Sequence, residues 1–167
     1  METISYEYED ALYVNLTNRC DCACVFCLRQ NGHKGSIYAD DLWLDHEPTR
    51  EEALRDLLDR DLNRYRELVF CGFGEPTFRI DDILWLGDEL KRTAPGLPPV
   101  RINTNGHASL LQGRDVCPNL KGRIDVLSIS LNGSTPEEYL AVTRPRDGLL
   151  AWKAMLDFTR EAVKYVP

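Results

Sequence analysis

Asn18-Arg-Cys-Asp-Cys-Ala-Cys-Val-Phe-Cys27 packs four of the chain's six cysteines, Cys20, Cys22, Cys24 and Cys27, into eight residues. A run this tight in a reducing compartment reads as metal binding or catalysis before it reads as disulfides. Disulfide geometry also forbids such close neighbours from all pairing with one another. Cys20, Cys24 and Cys27 stand in C-x3-C-x2-C spacing. Three thiolates on one short loop can hold one face of an iron–sulfur cubane and leave one iron open to a small ligand. The competing reading is a zinc site of four cysteines with Cys22 as the fourth ligand, although the paired-knuckle separation of such sites is missing. In the cubane reading Cys22 is a loop thiol on the solvent side and not a ligand.

The residues around this loop set the fold class. Ala11 to Thr17 has strand composition and leads directly into the cysteines. Beyond them, residues 28–47 show no period, and a loop of that length in a compact domain is usually functional. Thr49 and Glu52 form a capping box, followed by a leucine stripe (Leu54, Leu57, Leu58, Leu62, Tyr65) that predicts a helix to about Tyr65. Three further apolar runs read as strands: Leu68–Cys71, Val100–Asn103 and Ile124–Leu131. A helix from Asp81 to about Thr93 and a weaker helical stretch over 108–120 separate them. Thr135-Pro-Glu-Glu138 is a second capping box opening a short helix. The last helix spans about Gly148 to Tyr165, with Trp152, Met155, Leu156, Thr159, Ala162 and Val163 expected inward. Alternation of this kind predicts an α/β fold with a parallel sheet. Each strand ends in polar or glycine-rich residues, and ligands of parallel α/β folds sit at those ends. Cys71 and Cys117 read as small packed hydrophobes, and His33, His46 and His107 as surface histidines.

The strand ends also carry a resemblance. The cysteine spacing, with Phe26 before the last thiol, resembles the cluster motif of the radical S-adenosylmethionine (SAM) superfamily. Gly72-Phe-Gly-Glu-Pro76 is similar to that superfamily's glycine-glycine-glutamate-proline motif, with Phe73 where a glycine is usual. Asn103-Thr-Asn-Gly106 resembles its next strand-end motif. Ser128-Ile-Ser-Leu-Asn132 followed by Arg144-Pro145 resembles the serine and arginine beyond. The wording of Asn15–Cys20, Cys71–Thr77 and Gly113–Val116 further resembles a subgroup associated with TatD-type nucleases.

The resemblance implies a partial TIM-like (β/α) barrel of about four βα units and a [4Fe-4S] cluster on Cys20, Cys24 and Cys27. It also implies S-adenosyl-L-methionine on the open iron, cleaved by one electron to methionine and a 5′-deoxyadenosyl radical that takes hydrogen from a substrate. The backbone of Gly72, Phe73, Gly74 and Glu75 would approach SAM, with the two glycines free to adopt positive φ. Asn103, Asn105 and Ser128 would meet the ribose hydroxyls, and Ser130 and Arg144 the methionyl carboxylate. The backbone beside Phe26 would meet the adenine. A low-potential donor of flavodoxin or ferredoxin type and cytoplasmic, oxygen-poor conditions are implied as well. The superfamily usually shows six βα units. The chain therefore reads as a single domain over 1–167, shortened at its C-terminal side, with a last strand edge that a homodimer would cover.

Composition narrows the alternatives. The 167 residues are 43% hydrophobic and 28% charged with a formal net charge of −7, enough for one globular domain. The acidic balance argues against a nucleic-acid backbone binder. No apolar run is long enough to span a membrane, and Met1–Asp10 is acidic without a leader-like stretch. Nothing in residues 28–47, the segment expected to read the substrate, names one.

Overall fold

The structure, a computed structural model, describes residues 3–29 and 42–166. Five strands form one sheet in the order β1 (Ser5–Tyr8), β2 (Ala11–Val14), β3 (Glu67–Phe70), β4 (Val100–Thr104), β5 (Val126–Ile129). β2 through β5 pair in parallel, as the alternating sequence requires. β1 is an addition that the sequence reading missed. It is antiparallel to β2, with Ser5 opposite Val14 and Tyr8 opposite Ala11. A tight turn at Glu9, in left-handed conformation (φ 54°), joins the two. Tyr6 and Tyr13 stack across the hairpin at 5.4 Å between ring centres, a cross-strand pair of the kind that stabilises antiparallel ladders.

The helices lie on one face of the sheet. Alternation sends Leu12, Val14, Leu68, Phe70, Val100 and Ile102 to that face, where they are almost fully buried. α1 (Arg50–Leu58) opens on the full Thr49–Glu52 capping box. It stops seven residues before Tyr65. A 3-10 turn at Leu62–Arg64 follows, and it returns Leu62 to the core at 4% exposure before β3 begins. α2 (Ile80–Thr93) covers the sheet with Ile80, Ile83, Leu86 and Leu90. The weak stretch over 108–120 resolves into two short helices, α3 (Ala108–Gln112) and α4 (Cys117–Leu120). α5 (Pro136–Thr143) has half of its expected capping box: Thr135 accepts from the Glu138 amide, but the Glu138 carboxylate turns to Ser134 instead. α6 (Leu149–Ala162) buries Ala151, Trp152, Met155, Phe158 and Ala162. Val163 points away from that stripe and is 69% exposed, against expectation.

The sheet is open rather than a closed barrel. Among the described residues β5 is its last strand, paired to β4. Its outer flank borders an apolar groove of about 300 Å³ lined by Leu127, Ile129, Thr159, Ala162, Val163 and Val166. No helix among the described residues is long and apolar enough to cross a membrane.

Candidate cofactor site

The register sets the site. Asn103 lies beside Ser128 across β4 and β5. Extending the β2–β3–β4 pairing by one residue brings Asn15, Cys71, Asn103 and Ser128 into one row, on the face opposite the helices. The cysteine loop, Gly72–Pro76 and Asn103–His107 therefore share one rim.

The cysteine loop is tied down mainly through its odd-numbered residues. The Glu75 amide donates to the Arg19 carbonyl (2.8 Å), and the Arg146 amide to the Asp21 carbonyl (2.8 Å). Ala23 donates to Thr143 (3.0 Å) and Val25 to Val142 (2.9 Å). Residues 21–25 thus run extended beside the end of α5, with Cys22 bridged to Pro145. Cys20, Cys24 and Cys27 are half-buried, and Phe26 is 52% exposed. Cys22 is buried, which corrects its placement as a solvent-side thiol: the bridge to Pro145 turns it inward, where the Asn105 amide donates to its sulfur at 3.6 Å. The Cys22 amide N–H donates to the Cys20 sulfur (3.5 Å). Interaction among the neighbouring thiols raises the pKa of Cys22 and lowers those of Cys20 and Cys24, that of Cys24 to about 7.

The glycine-rich turn after β3 packs on this loop. A Cβ on Gly74 would sit 2.3 Å from the Thr17 carbonyl oxygen and 2.6 Å from that of Arg19. A Cβ on Gly72 would overlap the Asn15 side chain. Neither glycine has positive φ, contrary to expectation. Gly74 is needed because the backbone leading into the cysteine loop leaves no room for a side chain, and Gly72 because the Asn15 side chain at the end of β2 packs on it.

Two buried carboxylates lock the rim. Glu75, at 4% exposure, accepts from the Thr77 amide (3.1 Å), the Thr77 hydroxyl (2.6 Å), the Thr104 hydroxyl (2.7 Å) and the Asn105 amide N–H (2.7 Å). Burial raises its pKa, and those donors oppose the rise. Asp21 accepts from the Asn105 side-chain amide (2.8 Å) and bonds His107 Nδ1 (2.6 Å). Burial pushes Asp21 up, but His107 and Asn105 outweigh it and hold the carboxyl below its usual value. His107 Nε2 lies 2.8 Å from the Tyr139 hydroxyl. The tautomer that satisfies both ends carries the proton on Nδ1 and accepts from Tyr139. His107 is fully buried, not a surface residue. Nothing local signalled this, because its partners stand 86 and 32 residues away.

Of the residues singled out from sequence, the structure gathers Cys20, Cys24, Cys27, Gly72, Phe73, Gly74, Glu75, Asn103 and Asn105. Asn105 has both ends of its amide engaged, by Asp21 and by the His107 amide N–H. Asn103 Oδ1 and Asn15 Oδ1 are buried acceptors without a protein partner. Buried polar atoms are normally satisfied; Asn15 Oδ1 is pressed against Gly72, so Asn103 Oδ1 is the one of the two that marks a place for a hydroxyl-bearing ligand. Together with three partly exposed thiols it fits a cluster and a nucleoside. Ser128, Ser130 and Arg144 stay exposed, with Arg144 in left-handed conformation at the end of α5. His46 is exposed, as expected, and Cys117 is packed in the core. His33 and most of the 28–47 loop lie outside the described residues.

Sequence reasoning also missed Asp21 and Arg79. The Arg79 guanidinium donates to the carbonyls of Leu16 (3.0 Å) and Pro48 (2.9 Å) and joins the 42–48 segment to the end of β2. Among the described residues, Asp21, Cys22 and His107 bring an oxygen, a sulfur and a nitrogen within 4.8 Å of one another. The motif cysteines are not drawn into that set. Three corners of a cubane, each thiolate on its own iron, need no common ion.

Comparison with known proteins gives one result. A family model described as the radical SAM superfamily matches residues 14–166. No curated protein matches the sequence.

Proposed function

The chain belongs to the radical SAM superfamily, and on that premise we propose that Cys20, Cys24 and Cys27 hold a [4Fe-4S] cluster whose open iron takes S-adenosyl-L-methionine. When bound, the pair supplies one-electron cleavage of SAM and, through it, hydrogen-atom abstraction from a substrate. The interlock of the cysteine loop with the Gly72–Pro76 and Asn103–His107 turns carries this reading. It fixes three thiols at the strand ends beside the unpaired buried acceptor of Asn103.

The chain's own groups then have distinct tasks. Cys20 and Cys24 are held toward the thiolate form, the state that binds iron. Asn103 Oδ1, with Ser128 beside it, accepts from a ribose hydroxyl. The backbone of Gly72, Phe73 and Gly74 lines the approach to the methionyl end, and the backbone at Phe26 the adenine. Ser130 and Arg144 meet the carboxylate. The Glu75 side chain braces the rim and touches no ligand.

A low-potential flavodoxin- or ferredoxin-type protein supplies the electron, in the cytoplasm. The wording of Asn15–Cys20, Cys71–Thr77 and Gly113–Val116 supports a place in the TatD-associated subgroup. A homodimer seated on the β5 groove would cover the last edge, and sedimentation that shows only monomer at micromolar concentration would remove that part of the reading.

Anaerobic reconstitution with iron and sulfide, followed by metal analysis and a dithionite-driven assay for 5′-deoxyadenosine, tests the whole. Four irons per chain, lost in Cys20→Ala, Cys24→Ala and Cys27→Ala but kept in Cys22→Ala, with 5′-deoxyadenosine formed, is the expected result. The close grouping of Asp21, Cys22 and His107 favours a second reading, a zinc-binding interaction module that uses Cys22. One tightly held zinc, no cluster, and loss of the zinc in Cys22→Ala would establish it instead.

A further inference from the structure

His107 is a fully buried side chain whose two ends reach different parts of the rim. Nδ1 bonds Asp21 in the cysteine loop, and Nε2 bonds Tyr139 in α5. Asp21 lies between Cys20 and Cys22 in the chain, and its other oxygen takes the Asn105 amide. The same amide touches the Cys22 sulfur. Tyr139 is itself fixed, fully buried and packed on Trp152 at 5.0 Å between ring centres. The chain is therefore continuous from a rigid pair of helices, through one imidazole, to the loop that carries the thiols. We infer that His107 is a positioning residue: it anchors the cysteine loop to α5 through Asp21 and Tyr139, so that loosening it frees the loop while the rest of the fold stays closed. Its consequence for the cluster rests on the function proposed above; the anchoring itself does not.

The fold supplies its own control. Cys22 is buried by the loop, whereas Cys117 is buried in the main core against the Phe158 carbonyl. Local opening exposes the first and global unfolding exposes both. Tyr139→Phe removes one hydroxyl and keeps the packed ring, and Asp21→Asn keeps the shape and removes the charge. Each metal-free variant is alkylated with iodoacetamide under reducing, anaerobic conditions, and labelling is followed at every cysteine by mass spectrometry. Cys22 labelling is expected to rise about tenfold in both variants, the change that about 1.4 kcal/mol makes in an opening equilibrium, with Cys117 unchanged. After reconstitution, a ferrous chelator is expected to strip iron about tenfold faster from Tyr139→Phe than from the parent. Parallel rises at Cys22 and Cys117, or no rise at Cys22 in either variant, would overturn the anchoring. Unchanged iron stripping alongside an opened Cys22 would overturn the positioning of the ligands. A parent chain that takes up no cluster but shows the Cys22 contrast would sink the proposed function and leave the anchoring supported.

Discussion

The two ends of the rim differ sharply. From β2 to β4, three loops share two buried carboxylates, a buried histidine and two glycines that admit no side chain. At β5, Ser128 and Ser130 are exposed, Leu131 is 50% exposed, and Arg144 lies on the surface. The first end has neighbours on both flanks of every strand, and the second has β4 on one side and, among the described residues, no strand on the other. Groups buried between neighbours must find hydrogen-bond partners; groups on an open edge need none. The pinned end is thus held by the chain's own groups, whereas Ser128, Ser130 and Arg144 stay exposed.

Four substitutions would break or sharpen this contrast. Gly74→Ala should have the largest effect, because its Cβ meets two backbone carbonyls that cannot swing away. A loss of about 3 kcal/mol in urea unfolding is expected, and unchanged stability would show that the cysteine loop does not press on this turn. Glu75→Gln turns a four-fold acceptor into a group that offers N–H to other donors. It should cost about 2 kcal/mol in the same measurement, with lower iron uptake.

Glu47→Gln should cost less, about 1 kcal/mol near pH 7. Burial pushes the Glu47 carboxyl up, but Thr17 and Arg19, with Arg79 nearby, bring it below its usual value. A carboxylate depressed by folding stabilises above its unfolded pKa, near ~4.3 for glutamate, and loses that contribution as pH falls below it. The parent should therefore lose stability between about pH 4.5 and 3 more steeply than Glu47→Gln, as thermal melts across that range would show. At the open end, Val163→Lys should shift stability by no more than about 0.5 kcal/mol, since the side chain is 69% exposed. A loss well beyond that would mean that the β5 groove is covered in solution.

Much of the fold is legible because its signals are local. Short apolar runs and strand composition give β2 to β5, and the Thr49–Glu52 box starts α1, although of its expected leucine stripe Leu57 is buried and Leu58 is exposed. Ser5–Tyr8 alternates polar residues with tyrosines, itself a strand signal, but it is only four residues long and its pairing depends on the Glu9 turn. The length of α1 was misjudged because Leu62 continues the apolar period, yet reaches the core from a separate turn.

For the site, the sequence alone determined the donors and their order along the rim. Cysteine spacing is a covalent fact, and strand-end motifs fall at strand ends wherever the sheet is parallel. What surrounds those donors was decided only by tertiary structure. That Cys22 faces inward, that His107 is buried, and that Gly74 is required by the chain's own carbonyls all depend on segments far apart in sequence that meet at one rim. Burial and hydrogen bonding are properties of neighbours, and neighbours across a parallel sheet are fixed by register and packing rather than by adjacency in the chain.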